Sequence, residues 1–220
     1  IKEALDNQEQ VILFQNRRGF APQIECDNCG WVPKCTDCDV SMTYHKFFKQ
    51  LTCHYCGHTY TMPSKCPKCG NEKLKTRGYG TEKVAEEVAF FFPNARIVRM
   101  DADTTKSKFA YEQIINSFED KKVDILIGTQ MISKGLDFDN VRVVGIINAD
   151  NMLSYPDFRA NERSYQLMAQ VSGRAGRKGK QGLVILQTYD PTQQTITQVK
   201  ENDYKAMYQY EMEERKLFKY

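Results

Sequence analysis

Eight cysteines lie in one stretch of the sequence, residues 26–69, and they carry its clearest chemistry. They form four Cys-x-x-Cys pairs, or knuckles: Cys26/Cys29, Cys35/Cys38, Cys53/Cys56 and Cys66/Cys69. One knuckle supplies two thiolates to a tetrahedral metal ion, so four knuckles can form two closed Zn²⁺ sites. Disulfides are the alternative, but nothing in the sequence indicates secretion and every cysteine belongs to a closely spaced pair. We therefore expect two zinc ions per chain.

Two pairings of the knuckles are possible. Fourteen residues separate Cys38 from Cys53, enough for a hairpin that returns the third knuckle to the second, whereas only five separate Cys29 from Cys35. We favour a nested arrangement, and sequential pairing of neighbouring knuckles is the alternative. In the nested arrangement an outer site uses Cys26, Cys29, Cys66 and Cys69, and an inner site uses Cys35, Cys38, Cys53 and Cys56.

The same stretch contains all three histidines of the chain, His45, His54 and His58. Because eight thiolates already fill two sites, we expect these histidines to be surface or packing residues. Aromatic side chains are expected to supply the core of the insert, since small metal modules have little other apolar material. A stacking platform for unpaired bases is the alternative role for these aromatics. They are Trp31, Tyr44, Phe47, Phe48, Tyr55 and Tyr60.

A second group of residues has chemistry suited to phosphate. The apolar run at 125–127 predicts a buried strand that delivers Gly128 and Thr129 to its carboxyl end, where open α/β sheets bind ligands. Farther along, Gln170, Arg174 and Arg177 recur at i, i+4 and i+7, so a helix would place all three on one face.

Two guanidiniums directed at one point suit a polyphosphate whose charge grows during transfer. A salt-bridged surface pair is the alternative for Arg174 and Arg177. Arg17 and Arg18 follow the first apolar strand and suit either phosphate contact or a polar strand exit. Thr81 follows a glycine and is expected to cap a helix, with a DNA-backbone contact as its possible further role.

These residues are positioned by strands that alternate with helices, which predicts an α/β fold with a doubly wound parallel sheet. We expect a discontinuous sheet domain at 1–25 and 70–202, a zinc insert at 26–69, and a connector helix at 203–220 leading to a further domain. The predicted strands are 11–14, 95–100, 123–129, 141–149 and 182–189. The predicted helices are the end of one helix at 1–10, then 83–92, 106–121, 191–201 and 203–220.

Net charge does not identify a partner. The formal charge of +3 is mild, and two tetrathiolate zinc sites would bring it to about −1, because each adds two net negative charges. Any contact with DNA must therefore be local. No apolar run approaches the length of a membrane span, so we expect no membrane partner.

Thr129, Gly135 and Asp137, followed by Gln-x-x-Gly-Arg-x-Gly-Arg at 170–177, resemble motifs V and VI of superfamily 2 helicases. Those motifs lie in the second of two RecA-like lobes. Together with the knuckles, the sequence is similar to the family of bacterial primosomal replication-restart DNA helicases. The matching segments are 16–22, the eight cysteines, 80–82, 101–105, 128–138 and 170–177.

The resemblance implies a RecA-like second lobe of an ATP-dependent 3′–5′ DNA helicase, with a zinc-binding insert. Such helicases bind stalled or abandoned forks and D-loops and help to load the replicative helicase. The implied partners are forked and single-stranded DNA, other primosome proteins and single-stranded DNA-binding protein. A monomer in the bacterial cytoplasm is expected. A binding module, in which the insert recruits protein or DNA and the sheet is a scaffold, is the alternative.

The resemblance also implies roles for individual residues at the nucleotide. Arg174 and Arg177 would face the γ-phosphate, with Arg177 the stronger candidate for the arginine finger. Gln170 would help to read the nucleotide, and Asp137, with Gly135 beside it, would bond the ribose or relay nucleotide state. A turn carboxylate is the alternative for Asp137.

For DNA, the resemblance implies that Thr129 and Gly128 hold a backbone phosphate, and Thr81, Arg17 and Arg18 are further candidates. ATP and Mg²⁺ are expected in the complete protein. The chain contains no Gly-x-x-x-x-Gly-Lys-Ser/Thr loop and no acidic Mg²⁺ box. We therefore expect no ATP hydrolysis by these 220 residues alone.

Overall fold

The computed structural model of the chain describes ten segments. These are residues 1–15, 23–38, 40–45, 49–53, 55–77, 80–102, 104–133, 138–153, 157–176 and 181–219.

Helices and strands alternate along most of the described chain. The α-helices are α1 Lys2–Asp6, α2 Thr81–Phe91, α3 Lys108–Glu119, α4 Asp150–Leu153, α5 Ala160–Ser172, α6 Gln194–Glu201 and α7 Tyr204–Phe218, and a 3₁₀ helix spans Gln130–Ser133. The first six strands are β1 Gln10–Phe14, β2 Gln23–Cys26, β3 Thr43–His45, β4 Gln50–Thr52, β5 Thr59–Thr61 and β6 Leu74–Arg77. The remaining strands are β7 Ile97–Met100, β8 Ile125–Gly128, β9 Val141–Ile146 and β10 Leu183–Leu186. No helix in the described segments is long and apolar enough to cross a membrane.

The chain divides into two compact units. The sheet unit comprises Ile1–Asn16 and Val84–Tyr220, and the cysteine unit comprises Arg17–Lys83. The cysteine unit is longer at both ends than the predicted insert of 26–69. The difference arises because β2 and β6 pair with each other outside the outer knuckles.

A parallel sheet with strand order β10-β9-β1-β8-β7 forms the centre of the sheet unit. It confirms the predicted doubly wound parallel sheet. Strands β1 and β8 are buried along their whole length, as their continuous apolar sequences require of central parallel strands. Because all these strands run in one direction, their carboxyl ends meet along one edge, which we call the carboxyl edge.

Two layers of helices cover the faces of the sheet, because alternate residues of each strand point to opposite sides. Ile12 and Phe14 pack in one core with residues of α3, α5, α6 and α7. Val11 and Leu13 pack in the other core with residues of α1 and α2. Met207 of α7 is almost fully buried in the first core, so the predicted connector helix packs on the sheet unit.

A buried amide fastens α3 to the amino end of the sheet. The side chain of Gln10 donates hydrogen bonds to the carbonyl oxygens of Phe118, at 2.7 Å, and Val123, at 2.8 Å. These bonds satisfy buried polar groups where α3 turns into β8, and burial of unpaired carbonyls there would be costly.

The structure adds elements to those predicted from sequence. Helix α4 and the 3₁₀ helix are new, and α5 begins at Ala160, well before the helix predicted through Gln170. The predicted strands are present: β1 is one residue longer than predicted, and the others are shorter. The buried residues Ala160, Ser164, Met168 and Val171 follow helical spacing, so the pattern that marks α5 is present in the sequence.

The cysteine unit contains an antiparallel β2–β6 ribbon and a three-stranded β3-β4-β5 meander among its described residues. Its core consists of Ile24, Met42 and Leu51 together with cysteines. The prediction of an aromatic core is therefore wrong for Tyr55, which is 84% exposed. Met42, Leu51 and the cysteine side chains fill the interior instead. Tyr44 and Tyr60 pack only partly against that core, Trp31 is partly exposed, and Phe47 and Phe48 lie outside the described residues.

Candidate phosphate site and metal centres

Gly128 and Thr129 lie where β8 reaches the carboxyl edge, as expected from the sequence. The backbone amide of Thr129 donates to the carbonyl of Met100 at 3.3 Å, which ties it to the end of β7. The carbonyl of Gly128 accepts from the amide of Gln15 at 2.9 Å, which ties it to the end of β1. These two bonds hold Thr129 in a fixed position at the edge. Thr129 is also partly exposed.

Gly128 has no room for a side chain. A Cβ atom there would lie 2.4 Å from Cδ1 of Ile132 and 2.6 Å from the carbonyl oxygen of Met100. The glycine therefore allows the 3₁₀ helix to fold tightly against the end of β8. Its role is steric, because its conformation lies outside the left-handed region.

Arg174 is bonded to the segment that follows Thr129. Its Nη2 atom donates to the backbone oxygen of Ser133 at 2.8 Å, and the guanidinium is partly buried. Ser133 ends the 3₁₀ helix and is itself buried, with its hydroxyl donating to the carbonyl of Gln130 at 2.7 Å. The segments that resemble motif V and motif VI are thus in direct contact.

The structure corrects the prediction of one helix through Gln170, Arg174 and Arg177. Helix α5 ends at Ser172, so exposed Gln170 lies in its last turn and Arg174 lies beyond it. Arg177 lies outside the described residues.

Tertiary contacts explain why the helix stops. Gly176 adopts a positive φ of 67° and donates its amide to the carbonyl of Val141 at 3.0 Å. Gly182 crosses so closely that a Cβ there would lie 2.4 Å from the carbonyl carbon of Ala175. The backbone is therefore drawn onto β9 instead of continuing the helix.

Five further residues were predicted from the sequence to contact DNA or nucleotide, and the structure describes one of them, Thr81. Thr81 is the first residue of α2 rather than the residue before it, so its predicted capping position shifts by one. The remaining candidates fall in segments that the structure does not describe, and their roles stay predictions. These are Arg17, Arg18, Gly135 and Asp137.

The eight cysteines lie in two groups of four, with the nested membership favoured from the sequence. The outer group contains Cys26, Cys29, Cys66 and Cys69, and the inner group contains Cys35, Cys38, Cys53 and Cys56. Within each group the sulfur atoms all lie within 4.8 Å of one another, and none forms a disulfide. Hairpin β3–β4 returns the third knuckle to the second, as the spacing suggested.

The sulfur positions fit tetrahedral zinc. Sγ–Sγ distances are 3.5 Å for Cys26 and Cys69, and 3.6 Å for Cys35 and Cys56. Four thiolates at about 2.3 Å from one zinc ion place the sulfurs roughly 3.8 Å apart. Both groups therefore need only a slight expansion to hold Zn²⁺.

All four knuckles share one backbone turn. The amide of each first cysteine bonds the carbonyl five residues later, at distances of 2.8–2.9 Å. The described glycines that follow a second cysteine, Gly30, Gly57 and Gly70, have positive φ values of 65–78°. They reverse the chain at little steric cost. A Cys-x-x-Cys-Gly pattern, visible in three of the four knuckles, is the sequence signal for these turns.

Each group contains one easily ionised thiol and one reluctant thiol. Hydrogen bonds from backbone amides lower the pKa of Cys69 to about 6 and the pKa of Cys53 to about 7. Burial raises the pKa of Cys29 to about 12, and a hydrogen bond with a thiol of its own group raises the pKa of Cys38 to about 12. Four adjacent sulfurs cannot all ionise without a cation, so metal binding must displace protons.

His58 belongs to neither four-sulfur group and contacts Asp37 and Tyr60 instead. Its Nδ1 shares a hydrogen bond with Asp37 at 2.8 Å, and its ring stacks on Tyr60 at 4.8 Å between centroids. The hydrogen bond lowers the pKa of Asp37. His58 and Asp37 also lie beside the exposed thiol of Cys56, which places them around the inner site. His45 is partly exposed, and His54 lies outside the described residues.

Gly128→Ala should destabilise the sheet unit by about 1–3 kcal/mol, because the added methyl group overpacks a site bounded by backbone. Gly173→Ala is the matched control, since its Cβ would meet nothing closer than 3.5 Å. Chemical denaturation of both variants measures the difference. Equal stability of the two variants would contradict the assigned steric role.

Comparison with protein families agrees with this geometry. Residues 78–179 match the model of the helicase conserved C-terminal domain. Residues 35–60 match the model of the PriA DNA helicase Cys-rich region domain. The two matched ranges include the 3₁₀ segment, Arg174 and the inner group of cysteines.

Curated relatives cover nearly the whole chain. The replication restart protein PriA of Bacillus subtilis (strain 168) is 49% identical over 98% of this chain and 27% of its own length. The replication restart protein PriA of Synechocystis sp. is 42% identical over 97% of this chain and 26% of its own length. The chain thus spans about a quarter of the length of these relatives.

Among solved structures, the C-terminal domain of the DEAD-box protein Dbp5 is similar at a TM-score of 0.44 and 12% identity. That match covers 92% of this chain and 69% of that domain, and it is too loose to support the assignment. The assignment comes from the relatives and from the two family models. The chain belongs to the PriA family of replication restart proteins, of which it spans a helicase C-terminal domain and its Cys-rich region.

Proposed function

We propose that the chain acts as the second motor lobe of an ATP-dependent 3′–5′ DNA helicase that restarts replication. The observation that supports this proposal most directly is the 2.8 Å hydrogen bond between Arg174 and the carbonyl of Ser133. It joins the residue expected at the γ-phosphate to the segment expected at DNA. The proposed nucleotide contact and the proposed DNA contact would then be linked by this hydrogen bond at the carboxyl edge.

DNA would be held at the end of β8. Thr129 offers a hydroxyl group at a partly exposed position, and a hydroxyl donor can bond a phosphate oxygen without reading the base. Gly128 lets the 3₁₀ helix pack tightly against the end of β8, and this packing would hold Thr129 in place for the phosphate. This contact is sequence-independent, as a helicase that moves along DNA requires.

Nucleotide would be sensed by the arginines of motif VI, with Gln170 beside them. Arg177 supplies the finger that stabilises the charge of the transferring phosphoryl group, and Arg174 faces the same phosphate. When Arg174 turns toward that phosphate it gives up the carbonyl of Ser133. The 3₁₀ helix is then released, and this change reaches Thr129 through four residues of chain.

The finer biological role follows the family. In the complete protein we propose binding to stalled forks and D-loops, loading of the replicative helicase, and contacts with primosome proteins and single-stranded DNA-binding protein. Zinc in the cysteine unit would hold the four knuckles in a fixed shape for such contacts. Asp137 and Gly135 are proposed at the nucleotide, and Arg17, Arg18 and Thr81 at DNA.

A recruitment module is the second candidate function. The cysteine unit has a core of its own and forms a compact unit of the chain, which favours an independent binding role. Under this alternative, loss of a zinc site in the complete protein would impair loading of the replicative helicase and leave DNA-stimulated ATP hydrolysis intact. A motor role for the unit would lower both activities.

Arg177→Ala in the complete protein should lower DNA-stimulated ATP hydrolysis by about 10³- to 10⁵-fold, because the transition-state charge loses its partner. Fork binding should stay within about twofold, since DNA is held by other groups. Arg163→Ala is the matched control, because Arg163 is exposed and pairs with Asp157. Steady-state hydrolysis and fork-binding assays measure the two effects. Retained hydrolysis by Arg177→Ala would overturn the proposed role of Arg177.

The chain should bind two zinc ions, and Cys53→Ser and Cys69→Ser should each retain one, because each removes a ligand from a different group. His58→Asn is the control and should keep both ions. Metal analysis after gel filtration measures the ratio. Two ions retained by Cys53→Ser would contradict the inner site.

Zinc affinity should fall as pH is lowered. The reluctant thiols, Cys29 and Cys38, carry protons at neutral pH because their pKa values are about 12, and zinc must displace those protons. Competition against a chelator at several pH values measures this dependence. An affinity that does not change with pH would mean that zinc binding displaces no protons.

A further inference from the structure

We propose that the start of α3 is a second contact for single-stranded DNA, in which Lys106 and Lys108 bind phosphates and Phe109 stacks on a base. This surface, Lys106, Lys108 and Phe109, is called the α3 entry. Its assigned role depends on the DNA contact proposed for Thr129.

The α3 entry lies at the carboxyl edge, beside the proposed phosphate contact. Met100 at the end of β7 pairs in register with Gly128 at the end of β8, so both chains leave the sheet side by side. The hydroxyl of Thr105 donates to the carbonyl of Asp101 at 2.6 Å, and the same oxygen atom lies 3.2 Å from the Sδ atom of Met131. Met131 is in the 3₁₀ helix, only two residues after Thr129. The residue before Lys106 is therefore in contact with the segment proposed to bind DNA.

Hydrogen bonds connect the described residues that precede α3. The backbone amides of Thr104 and Thr105 both donate to the carbonyl of Asp101, and the carboxylate of Asp101 accepts from the amide of Thr104. Ser107 then caps α3 by accepting from the amide of Ala110 at 3.1 Å. The first turn of α3 is thus positioned before any ligand binds, which lowers the entropic cost of binding.

Packing within the sheet unit does not explain the position of Phe109. The apolar stripe of α3 includes Tyr111, Ile115 and Phe118, which pack against the core, whereas Phe109 is 74% exposed. Phe109 is thus available for contact with a ligand, and exposed Lys106 and Lys108 flank it.

Charge makes nucleic acid the favoured occupant. Lys106 and Lys108 are both exposed. The ion pair of Lys108 with Glu112 is long, at 3.6 Å, and its side chain is 89% exposed, so its ammonium group can reach a phosphate. Exposed aromatic rings that stack on bases, combined with lysines that follow the backbone, are the usual means of binding single strands without sequence preference. The strand held at Thr129 would continue onto this surface.

The test measures binding of the zinc-loaded chain to short oligo(dT) and to an abasic strand of equal length, by fluorescence anisotropy. Phe109→Ala should weaken binding to oligo(dT) by about 5- to 100-fold, because a stacked base loses its partner. Binding to the abasic strand should not change. The matched control is Phe90→Ala, since Phe90 is 81% exposed at the end of α2, where the chain turns toward the amino end of β7.

The lysines are tested separately. Replacement of Lys106 and Lys108 by glutamine should weaken binding to both strands and lower the slope of log affinity against log salt by about 0.7 for each lysine. The same replacement of exposed Lys121 and Lys122, at the other end of α3, should change neither quantity. Thermal melting of each variant confirms folding.

Thr129→Val distinguishes failure of this inference from failure of the proposed function. If Thr129→Val weakens binding but Phe109→Ala behaves like Phe90→Ala, the α3 entry is overturned and the proposed function stands. If Phe109→Ala weakens binding and Thr129→Val does not, the α3 entry stands and the role of Thr129 is overturned. No binding of either strand by the unaltered chain would overturn both.

Discussion

Parallel pairing of the buried strands β8, β1 and β9 is the constraint on which the sheet unit depends. Their side chains are apolar on both faces, so the strands are stable only at the centre of a sheet that helices cover on both sides. This arrangement brings all the carboxyl ends to one edge. Burial of these strands fixes the positions of the polar groups at that edge, such as Thr129, which is partly exposed.

The two units obtain their stability from different sources. In the sheet unit, residues such as Ile12 and Leu126 are completely buried between helical layers, and burial of apolar area stabilises the fold. The cysteine unit has a small apolar core in which Cys35 and Cys53 take part directly. Its shape therefore depends on thiolate chemistry, and the turns at the knuckles hold the sulfurs close enough to share a metal ion.

The carbonyl of Ser133 accepts a hydrogen bond from Arg174 and so connects two segments that are distant in sequence. A main-chain carbonyl carries no sequence signature, yet here the carbonyl of Ser133 accepts the bond that joins Arg174 to the end of the 3₁₀ helix. If Arg174 also binds nucleotide, as proposed, its guanidinium has one acceptor within the protein and one on the nucleotide, and the segment would have two discrete states. Coupling between distant ligands requires an element of this kind, whose equilibrium both ligands can bias.

Apolar runs in the sequence determined the parallel sheet, because strands buried on both faces must be continuously hydrophobic, and cysteine spacing determined the knuckles. The gap of fourteen residues also favoured the nested grouping, since a hairpin of that length returns on itself. Only the tertiary structure decided where α5 ends, because the hydrogen bond from Gly176 to Val141 joins residues thirty-five positions apart in sequence. The partner of Arg174 was likewise decided in three dimensions, since spacing within a helix cannot reveal a carbonyl forty-one residues away.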